Sequence, residues 1–327
     1  MHRATASILG AGHRCGFSCC VWPLGTSLEP LRSTGFSLRA TKELQRHSSS
    51  WLERTPNAER GGRVLHKQPR WSEPRADEGP SCCNDRQNTL RVFDIDLYNG
   101  SNAELISHII EASDTEFSYI VTPNVNHVVR LEDDPELRRA YANASHRICD
   151  SQVLKGLMKL MRIQVREVIP GSNLTEELMR IADARKWRVA VIGSDASEIQ
   201  TMRQLYRNVT FIHHNPPMGF FDRPEEIQAC LDFVTDHPAQ LVVLAVGCPR
   251  QELLGQLIHT NGGAQGVGLC VGASINFLSG KVKRAPRWMQ RMSLEWLHRM
   301  CTEPRRLVKR YVTDAIRIIP IVFRQLR

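Results

Sequence analysis

The sequence predicts an open α/β fold, a mainly parallel sheet flanked by helices, with a basic helical appendage at its carboxy terminus. Three observations carry this. Short apolar runs such as WRVAVIGSD and AQLVVLAVG alternate with segments whose apolar residues recur at helical spacing, the pattern of βαβ units. The runs are apolar throughout, as strands covered on both faces require. Beyond about residue 282, Arg and Trp crowd together in RAPRWMQRMSLEWLHRM and Arg and Lys in EPRRLVKR.

The chain divides into residues 1–88, 89–281 and 282–327. The first part is rich in Arg, Ser, Pro and Gly, holds no sustained period, and reads as a disordered arm. Its weak apolar run near Cys19 to Trp22 is broken by Pro23 and lacks a secretory core segment. The second part begins with RVFDIDLYN as a first strand, followed by a helix over AELISHIIEA. FSYIV is a strand entering the turn Thr122-Pro123-Asn124. Asn126 to Ala144 is helical with a break at Pro135. HRICD is a short strand ending at Asp150, and SQVLKGLMKLM is a helix. PGSN is a turn before the helix LTEELMRIADARK, with Ser172, Asn173 or Thr175 as candidate caps. WRVAVIG, VTFIHHN, AQLVVLAVG and GLCVGA are further strands, separated by the helices SEIQTMRQLY, PEEIQACLDFVTDH and the segment after Pro249.

Composition narrows the function. A chain of 327 residues with 42% hydrophobic content can bury a core, and its formal net charge of +9 points to an anionic partner: nucleic acid, nucleotide or lipid surface. The 10 cysteines include no C-x-x-C pair, so neither zinc nor redox chemistry is indicated, and the compartment reads as reducing. No run of about 18 apolar residues occurs, so no spanning helix is expected.

In an open α/β sheet, ligands bind beyond the carboxyl ends of the strands. Four strand-end loops therefore matter, those starting at Thr122, Cys149, Gly247 and Gly272. Asp150 there reads either as a general base or as a turn and helix cap. Thr122 and Asn124 read as hydroxyl-binding groups or as turn formers. Gln251 and Glu252 read as nucleotide-reading groups or as the opening of a helix. Gly266-Val267-Gly268 lies inside a strand and has the wrong spacing for a dinucleotide loop. His213-His214 lacks a third ligand at useful spacing, and no paired-carboxylate motif appears, which fits a metal-independent site.

These residues, in order, resemble the WecG/TagA/CpsF glycosyltransferases from Arg91 to Tyr311. The markers are TPN at Thr122 to Asn124, the strand-end Asp150, R-x-x-x-P-G-S-N from Arg166 to Asn173, and G-x-P-x-Q-E from Gly247 to Glu252. G-A-x-x-x-F-x-x-G from Gly272 to Gly280, RAP-x-W, LEW-x-x-R and EP-x-R follow. The resemblance implies a Rossmann-like core and an inverting transfer from a UDP-sugar to a polyprenyl-diphosphate-linked acceptor sugar. The sugar would be N-acetylmannosamine or a relative, transferred at the cytoplasmic face of the plasma membrane by a peripherally bound protein. It implies Asp150 as base and Thr122 as a second catalytic residue that helps place the sugars. Asn124, Arg166, Gln251, Gly272, Arg299, Arg306, Lys309 and Arg310 would bind substrate, the basic groups taking the diphosphate. It implies no metal, no other cofactor and no nucleic acid; a homo-oligomer is left open.

Two positions depart from the family pattern: Ser151 stands where Gly is usual, and Asn276 where Asp is usual. Two rival classes fit the sequence less well. A Rossmann oxidoreductase wants G-x-G-x-x-G after its first strand, and RVFDIDLYN offers none. A non-catalytic basic binding protein explains the charge but not the polar strand ends. In the tail, Arg299, Arg306, Lys309 and Arg310 recur at steps that let several share one helical face. YVTDAIRIIPIVFRQLR, in which Pro320 is expected to kink or end a helix, suits a membrane surface.

Overall fold

The computed structural model describes residues 88–286, 288–289, 292 and 294–326, without the side chain of Arg306. The expectations for the arm and for Arg327 lie outside the described residues, as does that for the Arg306 side chain.

The expected single first strand is a hairpin. Strand β1, Thr89–Val92, pairs antiparallel with β2, Ile95–Tyr98. Phe93 and Asp94 form the turn with φ of 54° and 57°, the backbone a tight hairpin demands. Next come α1 (Asn102–Ala112), β3 (Ser118–Val121), α2 (Val125–Leu131), α3 (Pro135–Asn143) and β4 (His146–Arg147). Then α4 (Gln152–Leu160), α5 (Gly171–Arg185), β5 (Arg188–Gly193), α6 (Ala196–Leu205) and β6 (Thr210–His214) follow. The order closes with α7 (Pro224–Asp236), β7 (Leu241–Ala245), α8 (Arg250–Asn261), β8 (Val267–Cys270), α9 (Ser274–Leu278), α10 (Glu295–Thr302) and α11 (Pro304–Gln325). The local reasons are visible. Ser101 and Glu104 form a reciprocal capping box at the start of α1. Pro135 opens α3 at its first turn, the break expected there.

Six parallel strands form one sheet in the order β4-β3-β8-β7-β5-β6. Alternate residues feed two cores. On one face, Tyr119, Val121, Val242, Leu244 and Cys270 pack with α2, α3 and α8. On the other, Ile120, Val189, Val191, Leu241, Val243 and Leu269 pack with α1, α5, α6 and α9. Burial on both sides accounts for the continuous apolar runs. The chain leaves β3 toward the first face and β8 toward the second, although these strands are neighbours. Their carboxyl ends therefore open a crevice, where such folds place ligands.

Helix α11 crosses the first face against α2. Leu307 is fully buried, and Ile318, Ile321 and Val322 join the core. Three polar contacts line this seam. Asn126 donates to both oxygens of Asp314, Arg317 pairs with Asp133, and Arg324 holds Glu132 with two bonds of 2.6 and 2.9 Å. Pro320 lies inside α11 without ending it, because one missing backbone bond is outweighed by the buried residues on either side. Among the described residues no helix is long and apolar enough to cross a membrane.

Candidate active site

Asp150 sits where β4 gives out. Its segment keeps pairing with the extension of β3: Ile148 N–H donates to the Val121 carbonyl, and Asp150 N–H to that of Pro123. The side chain turns toward α5. Contrary to the expectation of a turn, α5 begins at Gly171 with Pro170 before it, and no side chain of Ser172, Asn173 or Thr175 caps it. The cap is Asp150 itself, whose Oδ1 accepts from Gly171 N–H at 2.6 Å. The cap reading of this residue thus holds, with the capped helix being the later one. The residue at 171 must be small: a Cβ there would lie 3.2 Å from Thr122 Cγ2 and 3.4 Å from Val271 Cγ1.

Burial pushes the Asp150 carboxyl up to about 7, against the lowering pull of the Gly171 N–H. Glu295 also raises it, while Arg299 and Arg284 lower it. All three belong to the appendage, so this wall of the cleft delivers charge directly onto Asp150. Arg284 pairs with Glu295 at 3.7 Å, and Arg299 lies over the Phe277 ring at 5.6 Å. Arg284 and Glu295 stand inside the markers RAP and LEW, yet spacing alone gave them no role.

The other candidates divide into groups. Thr122 is buried, and its hydroxyl donates to the Cys270 carbonyl at 2.9 Å, tying β3 to β8. Asn124 caps α2, accepting from Asn126 and His127 N–H. Gln251 is buried and links two neighbours: its Oε1 accepts from Gly272 N–H at 3.0 Å, and its Nε2 donates to Glu252 at 2.8 Å. Gly272 has φ of +56°, a conformation that a side chain would strain. These four build the cleft floor. Arg166 is exposed and binds Glu104 at 3.3 Å, fastening the loop before α5 to α1.

The tail cations do not share one helix. Pro304 restarts the chain as α11, leaving Arg299 on α10 and Arg306, Lys309 and Arg310 on α11. Lys309 and Arg310 line a groove of about 510 Å³ between α2 and α11, with Arg130, Asp314 and Arg317.

Both departures have local explanations. Ser151 caps α4 by accepting from Leu154 N–H at 3.2 Å. Asn276 donates to Glu198 at 2.5 Å, where an aspartate would set two carboxylates against each other. With this geometry established, the family comparison adds one result: residues 90–327 match the family model described as Glycosyl transferase WecG/TagA/CpsF family.

Proposed function

The chain belongs to the WecG/TagA/CpsF family of glycosyltransferases, and on that premise we propose that its cleft catalyses an inverting sugar transfer in cell-surface polysaccharide synthesis. The donor is a UDP-sugar, with N-acetylmannosamine or a relative as the sugar. The acceptor is a sugar carried on polyprenyl diphosphate. The observation that carries this reading is Asp150: a desolvated carboxyl, oriented by a helix N-terminus and titrating near neutrality, beside two guanidinium groups.

In the proposed step Asp150 takes the proton from the acceptor hydroxyl. The acceptor oxygen attacks the anomeric carbon from the face opposite the leaving group. The carbon–oxygen bond to the diphosphate breaks, and UDP departs with the electron pair. A base whose pKa lies near the working pH combines availability with driving force. Arg299 and Arg284 stabilise the charge that grows on the diphosphate, a task arginine performs without a metal. Thr122, Gln251 and Gly272 keep the floor in register beneath the sugars.

The tail supplies the encounter with a lipid-borne acceptor. Val308, Val312, Ile316, Ile319 and Phe323 are exposed along one side of α11, opposite the residues that pack on the domain. Such a stripe suits the plane of a membrane surface, here the cytoplasmic face, with the protein bound peripherally. The test is a screen of UDP-sugars with a short-chain polyprenyl-diphosphate-sugar acceptor, reading UDP release and the product's anomeric configuration by NMR. Inverted product in the wild type, formed roughly 10²–10⁴-fold more slowly with Asp150→Asn, is the expected result. Acceptor-independent UDP release, or retained configuration, would refute the proposed step.

A further inference from the structure

Gln251 connects the cleft floor to a second cluster that the proposed transfer does not use. His127 in the first turn of α2, Cys248 in the loop after β7 and Glu252 in the first turn of α8 come together there. Each offers one donor atom, a ring nitrogen, a thiol sulfur or a carboxylate oxygen, and these atoms all lie within 4.8 Å of one another. His127 is 6% exposed and Glu252 fully buried.

The two oxygens of Glu252 have unequal surroundings. Oε1 accepts from Gln251 Nε2. Oε2 is buried with no well-formed hydrogen bond among the described residues, its carboxyl having only the weak thiol donor of Cys248 besides Gln251. A buried carboxylate oxygen left bare carries a desolvation cost that native structures rarely leave uncompensated. The His127 ring is held in place by the Tyr141 hydroxyl, 2.8 Å from Nδ1, and by the Thr122 carbonyl, a bond the other nitrogen would exchange for the metal. A partner on one ring nitrogen that directs the other is the outer-sphere arrangement of metal-binding histidines.

We propose that His127, Cys248 and Glu252 bind a borderline-soft divalent cation, zinc above all, as a staple joining α2 to the junction of β7 and α8. Donor chemistry selects the ion. Thiolate and imidazole favour zinc, whereas magnesium and calcium prefer shells of oxygen. Three protein ligands leave a fourth tetrahedral position for water. The charges of Arg130 and Arg310 act on Cys248, and they oppose an uncompensated dication. The thiolate and the Glu252 carboxylate together supply two negative charges, so the loaded centre is neutral toward them. The ion takes no part in the sugar transfer; it fixes Glu252, and through Gln251 the Gly272 turn. Chain separation hides the site from sequence: Cys248 and Glu252 are near each other, but His127 arrives from a different βα unit.

The full chain, purified without chelator in a thiol-free reducing buffer, should carry about one zinc per molecule by plasma mass spectrometry. Cobalt(II) loaded in its place should show a thiolate-to-cobalt charge-transfer band and the visible bands of a tetrahedral site, both lost in Cys248→Ser. Stripping the wild type should lower Tm by roughly 5–10 °C, with zinc but not magnesium restoring it. His127→Gln and Glu252→Gln should weaken zinc binding by on the order of 10²-fold. Wild type without stoichiometric zinc, or a Tm indifferent to it, would overturn the proposal. So would equal zinc content in wild type and Cys248→Ser, because the metal would then sit elsewhere on the chain.

Discussion

The cleft has a floor and a wall, and they are built differently. The floor is closed on itself: Thr122 binds the Cys270 carbonyl, Gln251 holds Gly272, and Asn124 caps α2. The described hydrogen bonds of these side chains go to the backbone, except the one from Gln251 to Glu252. The wall is open: Arg299 meets an aromatic face, Arg284 meets one carboxylate, and both act on Asp150 across the cleft. A floor of this kind positions, while a wall of this kind supplies charge. Asp150 is fastened to the start of α5 by a helix cap, and its pKa is raised chiefly by burial, with smaller opposing effects from the charges of the wall.

The sharpest test of the division is Asp150→Asn. Asparagine keeps the oxygen that accepts from Gly171 N–H, so the cap and fold should persist while turnover falls by roughly 10²–10⁴-fold. The sign of the stability change is informative. The folded pKa, about 7, lies above the usual carboxylate value of 3.8. The native protein therefore holds a proton that the unfolded chain releases between those values. Stability is lost as pH rises through that window, by at most about 4 kcal/mol. Asp150→Asn escapes the loss and should melt at or above the wild-type temperature at pH 8, though not at pH 4. In the wild type, kcat/KM should rise with pH through about 7 as the base loses its proton. A flat profile across that range would break the link between desolvation and function.

Arg299→Ala tests the wall. Turnover should fall by roughly 10- to 100-fold with little change in Tm, since the side chain is a charge over a ring rather than a core group. The outer side of α11 comes next. Changing Ile316, Ile319 and Phe323 together to Ser should reduce binding to anionic vesicles by about tenfold while the melting curve stays put, because those side chains face outward. Deleting the whole tail is a poor substitute, as it would also expose the core around Ile318, Ile321 and Val322. The smallest effect tests the floor: Thr122→Val should cost about 1 kcal/mol of stability, read as a drop of a few degrees in Tm, with turnover nearly intact. A 100-fold loss of turnover at unchanged Tm would instead make Thr122 a group that touches the sugar.

Much of this was legible in the chain. Continuous apolar runs gave the strands, and strand ends gave the loops that meet at the cleft. The hairpin was missed because Phe93 and Asp94 carry positive φ without the glycine that usually marks such turns. The Asp150 cap on α5 was missed because capping is normally sought in the residues just before a helix, and here the acceptor comes from the preceding βα unit. The split between α10 and α11 was overlooked although Pro304 marks it as plainly as Pro224 marks α7.

The seam between α2 and α11 gives the tail an unusual relation to ionic strength. Its pairs Arg317–Asp133 and Arg324–Glu132 lie near solvent, where molar salt shrinks the screening length to about 3 Å. The exposed stripe on the same helix is apolar, and salts that order water strengthen apolar association rather than weaken it. Concentrated electrolyte therefore weakens the ion pairs of the seam while sparing both apolar faces of the helix, the buried one around Ile318, Ile321 and Val322 and the exposed one. On the proposed membrane reading, a salt wash would act on the polar seam of this helix rather than on its outward stripe.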